Sequence, residues 1–257
     1  MSSEDILTNA PPPADARLPY GSDPNQFGEL RLPKAKPPFP VAMNIHGGFW
    51  RAKYDLTHAG HCCAALTAEG VATWNIEYRR VGNKGGGWPG SFEDVVSAFR
   101  YIPQMAARYH LDAARIVILG HSAGGQLALC LAAHESKVKS AVSLAGVVDL
   151  EEAFEEHLSH DAVVEFLGGK PSEVPEHYHE ADPAELKIKP AVQWLIHGLS
   201  DDTVPASFSR SYAQNKKQNG EDVHLLEIAT AGHFDLIDPH SSAWPKVQQT
   251  VLHLVGR

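Results

Sequence analysis

Disulfide chemistry has little to work with in this chain, because only three cysteines stand among its 257 residues. Cys62 and Cys63 are neighbours in a helical pattern, so their side chains diverge. Cys130 lies in a later apolar run. Buried reduced thiols are therefore expected, not a disulfide framework or a redox pair. Cations are also scarce: 22 Lys and Arg against 31 Asp and Glu leave a net charge of −9. Such a surface has no field to attract nucleic acid or anionic lipid, so neither is expected as a partner. No apolar run approaches the roughly 20 residues that span a bilayer, so no membrane insertion is expected. The opening MSSEDILTNAPPPADARLPYG has neither a basic stretch nor an apolar core of the secretory kind, and a cytoplasmic location is expected. Phosphate-cradle motifs are missing as well. GNKGGGWPG, at residues 82–90, is glycine-rich but lacks G-x-x-x-x-G-K-[ST], and reads as a mobile loop.

What is present is apolar residue in quantity, 43% of the chain, arranged as alternating strand-like and helix-like runs. Residues 1–24 are rich in proline and polar side chains and read as an N-terminal arm. Strands are expected at 27–32, 41–45, 71–78, 115–119, 140–144, 192–196 and 223–228. Helical spacing occupies 55–69, the stretch after Ser91 with Ser91 as its expected N-cap, the run after Ser122, 207–217 and 243–254. This alternation predicts an α/β fold over residues 25–257: a mostly parallel sheet of seven to eight strands with helices on both faces. Residues 150–188 break the rhythm with short helical pieces and no strand. They read as a lid-like insertion over the sheet edge where ligands bind, with EEAFEE as a lid face or a solvated face.

VILGHSAGGQLALCLAAH, residues 117–134, carries the chemistry. Its Gly120-His121-Ser122-Ala123-Gly124 fits G-x-S-x-G, with a strand leading in and a helix leading out. A serine on such a turn sits in a strained backbone conformation that flanking glycines make room for. Ser122 is the candidate nucleophile. A serine hydroxyl needs a base, and the base needs an orienting anion. HGLSDDTVP, at 197–205, offers the anion at the end of a strand. Its spacing favours Asp201, with Asp202 as the other choice. TAGHFD, at 230–235, offers His233 as base, with His240 as the alternative. HGGFW, at 46–50, follows an early strand. Its glycines would let the backbone N–H groups of Gly47, Gly48 and Phe49, with that of Ala123, approach a substrate oxygen. His46 is expected to brace that loop. Trp50, Trp88, Phe166 and Phe234 are candidates for an apolar substrate pocket. EHYHE, at 176–180, with His157 and His160, reads as a polar stretch of the insertion. No metal and no cofactor are called for.

Taken in order and spacing, HGGFW, GHSAGG, HGLSDDTVP and GHFD resemble the α/β-hydrolase superfamily. More narrowly they are similar to the esterase/lipase branch that includes kynurenine formamidase (arylformamidase), with its HGG-x-W signature. The resemblance runs from Tyr20 nearly to the C-terminus. It implies a triad of Ser122, Asp201 and His233, an HGGFW oxyanion hole and acyl transfer to water. The expected partner is a small-molecule ester or amide, and the expected state a monomer or homodimer. Esters with short or aromatic acyl groups are the favoured substrates, and an N-formylkynurenine-type formamide the alternative. A non-catalytic binding protein on the same fold is the remaining one.

Overall fold

The computed structural model describes residues 3–257. The chain runs β1 (Ala16–Pro19), β2 (Phe27–Arg31), β3 (Phe39–Ile45), α1 (Gly60–Ala68), β4 (Ala72–Ile76), α2 (Gly90–Tyr109), β5 (Leu111–His121), α3 (Ala123–His134) and β6 (Ser140–Leu144). It continues through α4 (Leu150–Glu155), α5 (Ala162–Leu167), α6 (Pro175–Ala181), β7 (Val192–Gly198), α7 (Ser207–Gln218), β8 (Val223–Ile228) and α8 (Trp244–Leu254). The eight strands form one sheet in the order β1-β2-β4-β3-β5-β6-β7-β8. β1 pairs with β2, and β2 with β4, in antiparallel fashion; the pairings from β4 through β8 are parallel.

Side chains of the central strands alternate between two cores, as the period of two demands. Val41, Met43, Ile45 and Ile118 pack on one face with α2, α3 and α7. Ala42, Val117, Leu119 and Val142 pack on the other with α1 and α8. Strands buried on both faces read as continuous apolar runs, and all of β3, β4 and β6 is buried. Cys62, Cys63 and Cys130 are free thiols in these cores.

Three details depart from the expectations. The stretch read as an arm carries β1, whose backbone continues into Asp15 N–H donating to the Leu30 carbonyl. Its ARLP is half-exposed and flanked by proline, the character of an edge strand. The helix expected over 55–69 is a 3₁₀ turn, Leu56–Ala59, followed by α1. Asp55 caps that turn by accepting from Thr57 N–H. Ser91 does not cap α2, which begins at Gly90. Its hydroxyl donates to the Arg79 carbonyl and accepts from Gly87 N–H, holding the glycine-rich loop.

Residues 150–188 hold α4–α6 and no strand. Asp182, at the end of α6, accepts from the Leu150 and Glu151 N–H groups and so fastens the two ends of the insertion together.

Candidate functional site

Ser122 lies between β5 and α3 with φ 56°, ψ −123°, a backbone region that costs a non-glycine residue of order 1–3 kcal/mol. The neighbours over-determine it. Ser122 N–H donates to the Leu144 carbonyl at the end of β6, and its own carbonyl accepts from Gly125 N–H. A Cβ on Gly120 would lie 2.0 Å from the Gly124 carbonyl oxygen, and one on Gly124 only 2.1 Å from that of Ile45. The turn can be this tight only because both positions are glycine. Ala123 opens α3, so its N–H belongs to the first turn, where no intrahelical acceptor exists.

Asp201 follows β7 and His233 follows β8. His233 Nδ1 donates to Asp201 Oδ2 at 2.7 Å. Asp201 Oδ1 accepts from the N–H groups of Thr203 and Val204, at 2.9 and 2.8 Å. Fully buried His197 lies 3.4 Å from Asp201 Oδ2 through Nε2, which also meets the Val204 carbonyl. Burial pushes the Asp201 carboxyl up, but the bonds from His197 and His233, the His233 charge and the Val204 N–H outweigh it. Together they hold the carboxyl well below its usual range. The adjacent Asp202 is exposed and accepts from the Thr203 hydroxyl. His240 is exposed on the surface. Geometry therefore pairs Asp201 with His233 and leaves both alternatives outside.

His121 completes the group. Its Nε2 donates to the His233 carbonyl at 3.0 Å, and its ring lies 4.5 Å from the His233 ring. Burial, followed by the His233 and His58 charges, holds its pKa well below the ordinary value. His121 is thus neutral, with Nδ1 buried and unpartnered.

The HGGFW loop reaches Ser122 from β3. A Cβ on Gly47 would lie 2.9 Å from both Ser122 Cβ and the His121 carbonyl oxygen, so glycine allows the backbone its close approach. Gly48, Phe49 and Trp50 then follow with φ of 114°, 50° and 56°. His46, fully buried, faces acceptors with both nitrogens: the Gly47 carbonyl at 2.7 Å and Glu77 Oε1 at 2.8 Å. Burial would raise the Glu77 carboxyl. The charge and hydrogen bond of His46, then the Arg80 guanidinium, lower it below the usual range. His46 stacks on Tyr78 at 4.6 Å, and the Tyr78 hydroxyl donates to the His46 carbonyl. It does brace the loop.

Ser122 and His233 open into one cavity of about 270 Å³. Phe234 lines it as expected. Trp50, Trp88 and Phe166 do not. Trp50 and Phe166 are each 1% exposed and stacked on one another at 4.5 Å. Trp88 is stacked on Phe92, edge-on to Phe166. These rings are packed into the core between insertion and loop, away from the cavity. The walls are instead Phe49, Tyr54, His58 and Thr203, with Glu4 and Leu7 from the 3₁₀ turn Ser3–Leu7. Motif reasoning had no signal for Glu4, Leu7, Tyr54 and His58, which lie outside the motifs, and read Phe49 only as a backbone donor and Thr203 only as part of HGLSDDTVP. Burial and then the His46 charge push His58 down to about 3, so it too is neutral.

Among the described residues no His/Cys/Asp/Glu cluster could hold a metal ion, and none of the helices is long and apolar enough to cross a membrane. EHYHE lies in α6, where the His177 ring meets the Leu167 carbonyl and His179 is exposed.

Comparison with known proteins places the fold and the family. A truncated carbohydrate esterase from gut microbiota superposes with a TM-score of 0.83 over 97% of this chain and 100% of its own, at 21% identity. The butyrate-bound esterase Est2 of Thermogutta terrifontis gives 0.75 over 95% and 94%, also at 21% identity. The fold is therefore the α/β-hydrolase fold. In sequence, a probable isoprenylcysteine alpha-carbonyl methylesterase of Oryza sativa subsp. japonica is 26% identical over 266 residues. That match covers 92% of this chain but 62% of the rice protein, so the chain spans less than two thirds of its relative. Neutral cholesterol ester hydrolase 1 of Pongo abelii is 36% identical over 103 residues, 37% of this chain and 25% of its own. The BD-FAE family model matches residues 29–215, from β2 into α7 and through the Ser122 elbow, and the chain belongs to the BD-FAE family.

Proposed function

We propose that this protein is a serine hydrolase of small carboxylic esters, with Ser122, Asp201 and His233 as its triad. One observation carries the reading: Ser122, on a strained elbow, shares a cavity with His233, whose far nitrogen is bonded to the buried carboxylate of Asp201. Because Nδ1–H is committed to Asp201, neutral His233 presents Nε2 as a base. It takes the Ser122 proton as Oγ attacks the ester carbonyl. The N–H groups of the Gly47–Phe49 loop and of Ala123 receive the oxyanion. His233 then gives the proton to the departing alcohol, and water releases the acyl group by the reverse roles.

The cavity argues for a short neutral acyl group. Its walls include Phe49, Tyr54, Phe234 and Leu7, and among the described residues that line it none is Lys or Arg. The Thermogutta neighbour, whose structure holds butyrate, supports the same size class. The three free buried thiols fit a reducing cytoplasm, and we place the protein there as a monomer or homodimer.

Fluorophosphonate labelling should modify Ser122 and vanish in Ser122→Ala. Turnover of p-nitrophenyl esters should peak at short chains and exceed that of N-formylkynurenine. A folded protein that never labels would sink the hydrolase reading; a formamide rate orders of magnitude above any ester would sink the ester assignment.

A further inference from the structure

The loop that carries the oxyanion donors cannot hold its own shape. Gly48, Phe49 and Trp50 stand consecutively at positive φ, a run that persists only where surroundings enforce it. Two side chains at its end reach away from the cavity and into the insertion. Trp50 lies flat on Phe166 of α5, 4.5 Å away and 9° from parallel. Its indole N–H donates to Gln126 Oε1 at 3.0 Å, and Gln126 in turn donates to the Ala181 carbonyl at the end of α6. Arg51 grips Glu165 with a fork, Nε to Oε2 at 2.7 Å and Nη2 to Oε1 at 3.0 Å. It also donates to the Ser159 hydroxyl and the His160 carbonyl. The segment it grips is strained as well: His157, Ser159, His160 and Asp161 all have positive φ. Two strained stretches, more than 100 residues apart, are thus tied through Arg51, while Trp50 anchors the first of them to α5 and α3.

We propose that the insertion is a clamp on the oxyanion loop, with Arg51, Trp50, Glu165 and Phe166 as its positioning residues. None of Trp50, Arg51, Glu165 or Phe166 lines the cavity, so the clamp acts on where the Gly48 and Phe49 N–H groups point and not on substrate entry. This deepens the serine-hydrolase reading and rests on it. Loosening the clamp lowers kcat and leaves KM nearly unchanged, since the donors matter in the transition state. It also leaves global stability nearly unchanged, because an ion pair with Glu165 half exposed contributes little to folding.

The test is a charge swap. Arg51→Glu and Glu165→Arg should each lower kcat about tenfold to a hundredfold on p-nitrophenyl butyrate, with KM and Tm little moved. The double variant should recover most of the loss. Inhibition by a trifluoromethyl ketone, whose adduct places an oxyanion in the hole, should weaken in proportion to kcat/KM. Phe166→Leu, which keeps the core filled, should act in the same direction. Amide exchange at residues 48–51 should quicken in the single variants and return to normal in the double. That measurement needs no activity, so it still tests the clamp if the parent protein hydrolyses no ester. Unchanged kcat and exchange in the single variants would overturn the proposal. So would a rise in KM alone, or a folded double variant that recovers neither.

Discussion

At the scale of single residues, the site is a set of groups whose protonation is set by their neighbours. Asp201 stays ionised across the working range because donors outweigh burial. Its folded-state pKa is depressed, so its contribution to stability is complete above the unfolded value of about 3.9 and is lost as pH falls toward the folded one. Asp201→Asn should therefore lose stability at pH 7, with the gap to the parent closing below about pH 3 in acid unfolding curves. Its kcat should fall by roughly 10³- to 10⁴-fold, since Asn can present His233 with the wrong tautomer. His58 and His121 are both held neutral. The acid limb of kcat/KM should consequently owe nothing to either of them, and a two-proton slope would place one of them in the titration. The positions of Ser122, Asp201 and His233 were legible beforehand because each stands in a short motif at a strand end. The aromatic residues were not. Nothing in the identity of Trp50, Trp88 or Phe166 says which side of a loop they pack on, and three-dimensional stacking turned all three away from the cavity.

At the scale of elements, the sensitive contact is between α3 and β6. Gly125 of α3 sits over Ser143, so a Cβ there would lie 2.5 Å from Ser143 Oγ and 2.9 Å from Gly146 Cα. Ser143 Oγ is buried with no hydrogen-bond partner among the described residues. Removing an unsatisfied buried hydroxyl is worth about 1 kcal/mol. Ser143→Ala should raise Tm by about 2–4 °C in a chain of this size, and thermal melts will read it. Gly125→Ala should lower Tm, and adding Ser143→Ala should recover only part, because the Gly146 contact remains. The elements themselves were largely readable from apolar periodicity: the parallel strands fall where the continuous apolar runs do. β1 escaped because ARLP is only four half-exposed residues, ends in Pro19 and follows a proline-rich stretch. The insertion showed itself as a break in rhythm, but its work could not be read, since contacts such as Arg51 to Glu165 join residues far apart in the chain.

At the scale of the molecule, the cavity is assembled from five separated stretches: 4–7, 48–58, 121–122, 203 and 233–234. The N-terminal turn closes one side of it. Leu7 is 40% exposed although it lines the cavity, which leaves an apolar surface for a substrate chain to cover. Leu7→Trp should shift the preferred p-nitrophenyl ester toward shorter acyl chains and Leu7→Ala toward longer ones, read as kcat/KM against chain length. An unchanged profile in both would remove the turn from the specificity wall.

The neighbouring histidines 121 and 233, one on either side of 111 intervening residues, also make the site a clock for folding. Their contact closes a long loop, as does every wall contributed by residues 4–7. Loop closure of that span comes late in the folding of a large parallel sheet. During refolding, burial of the sheet tryptophans Trp74 and Trp194 should precede the return of fluorophosphonate reactivity at Ser122. The nucleophile would then report the last step of assembly.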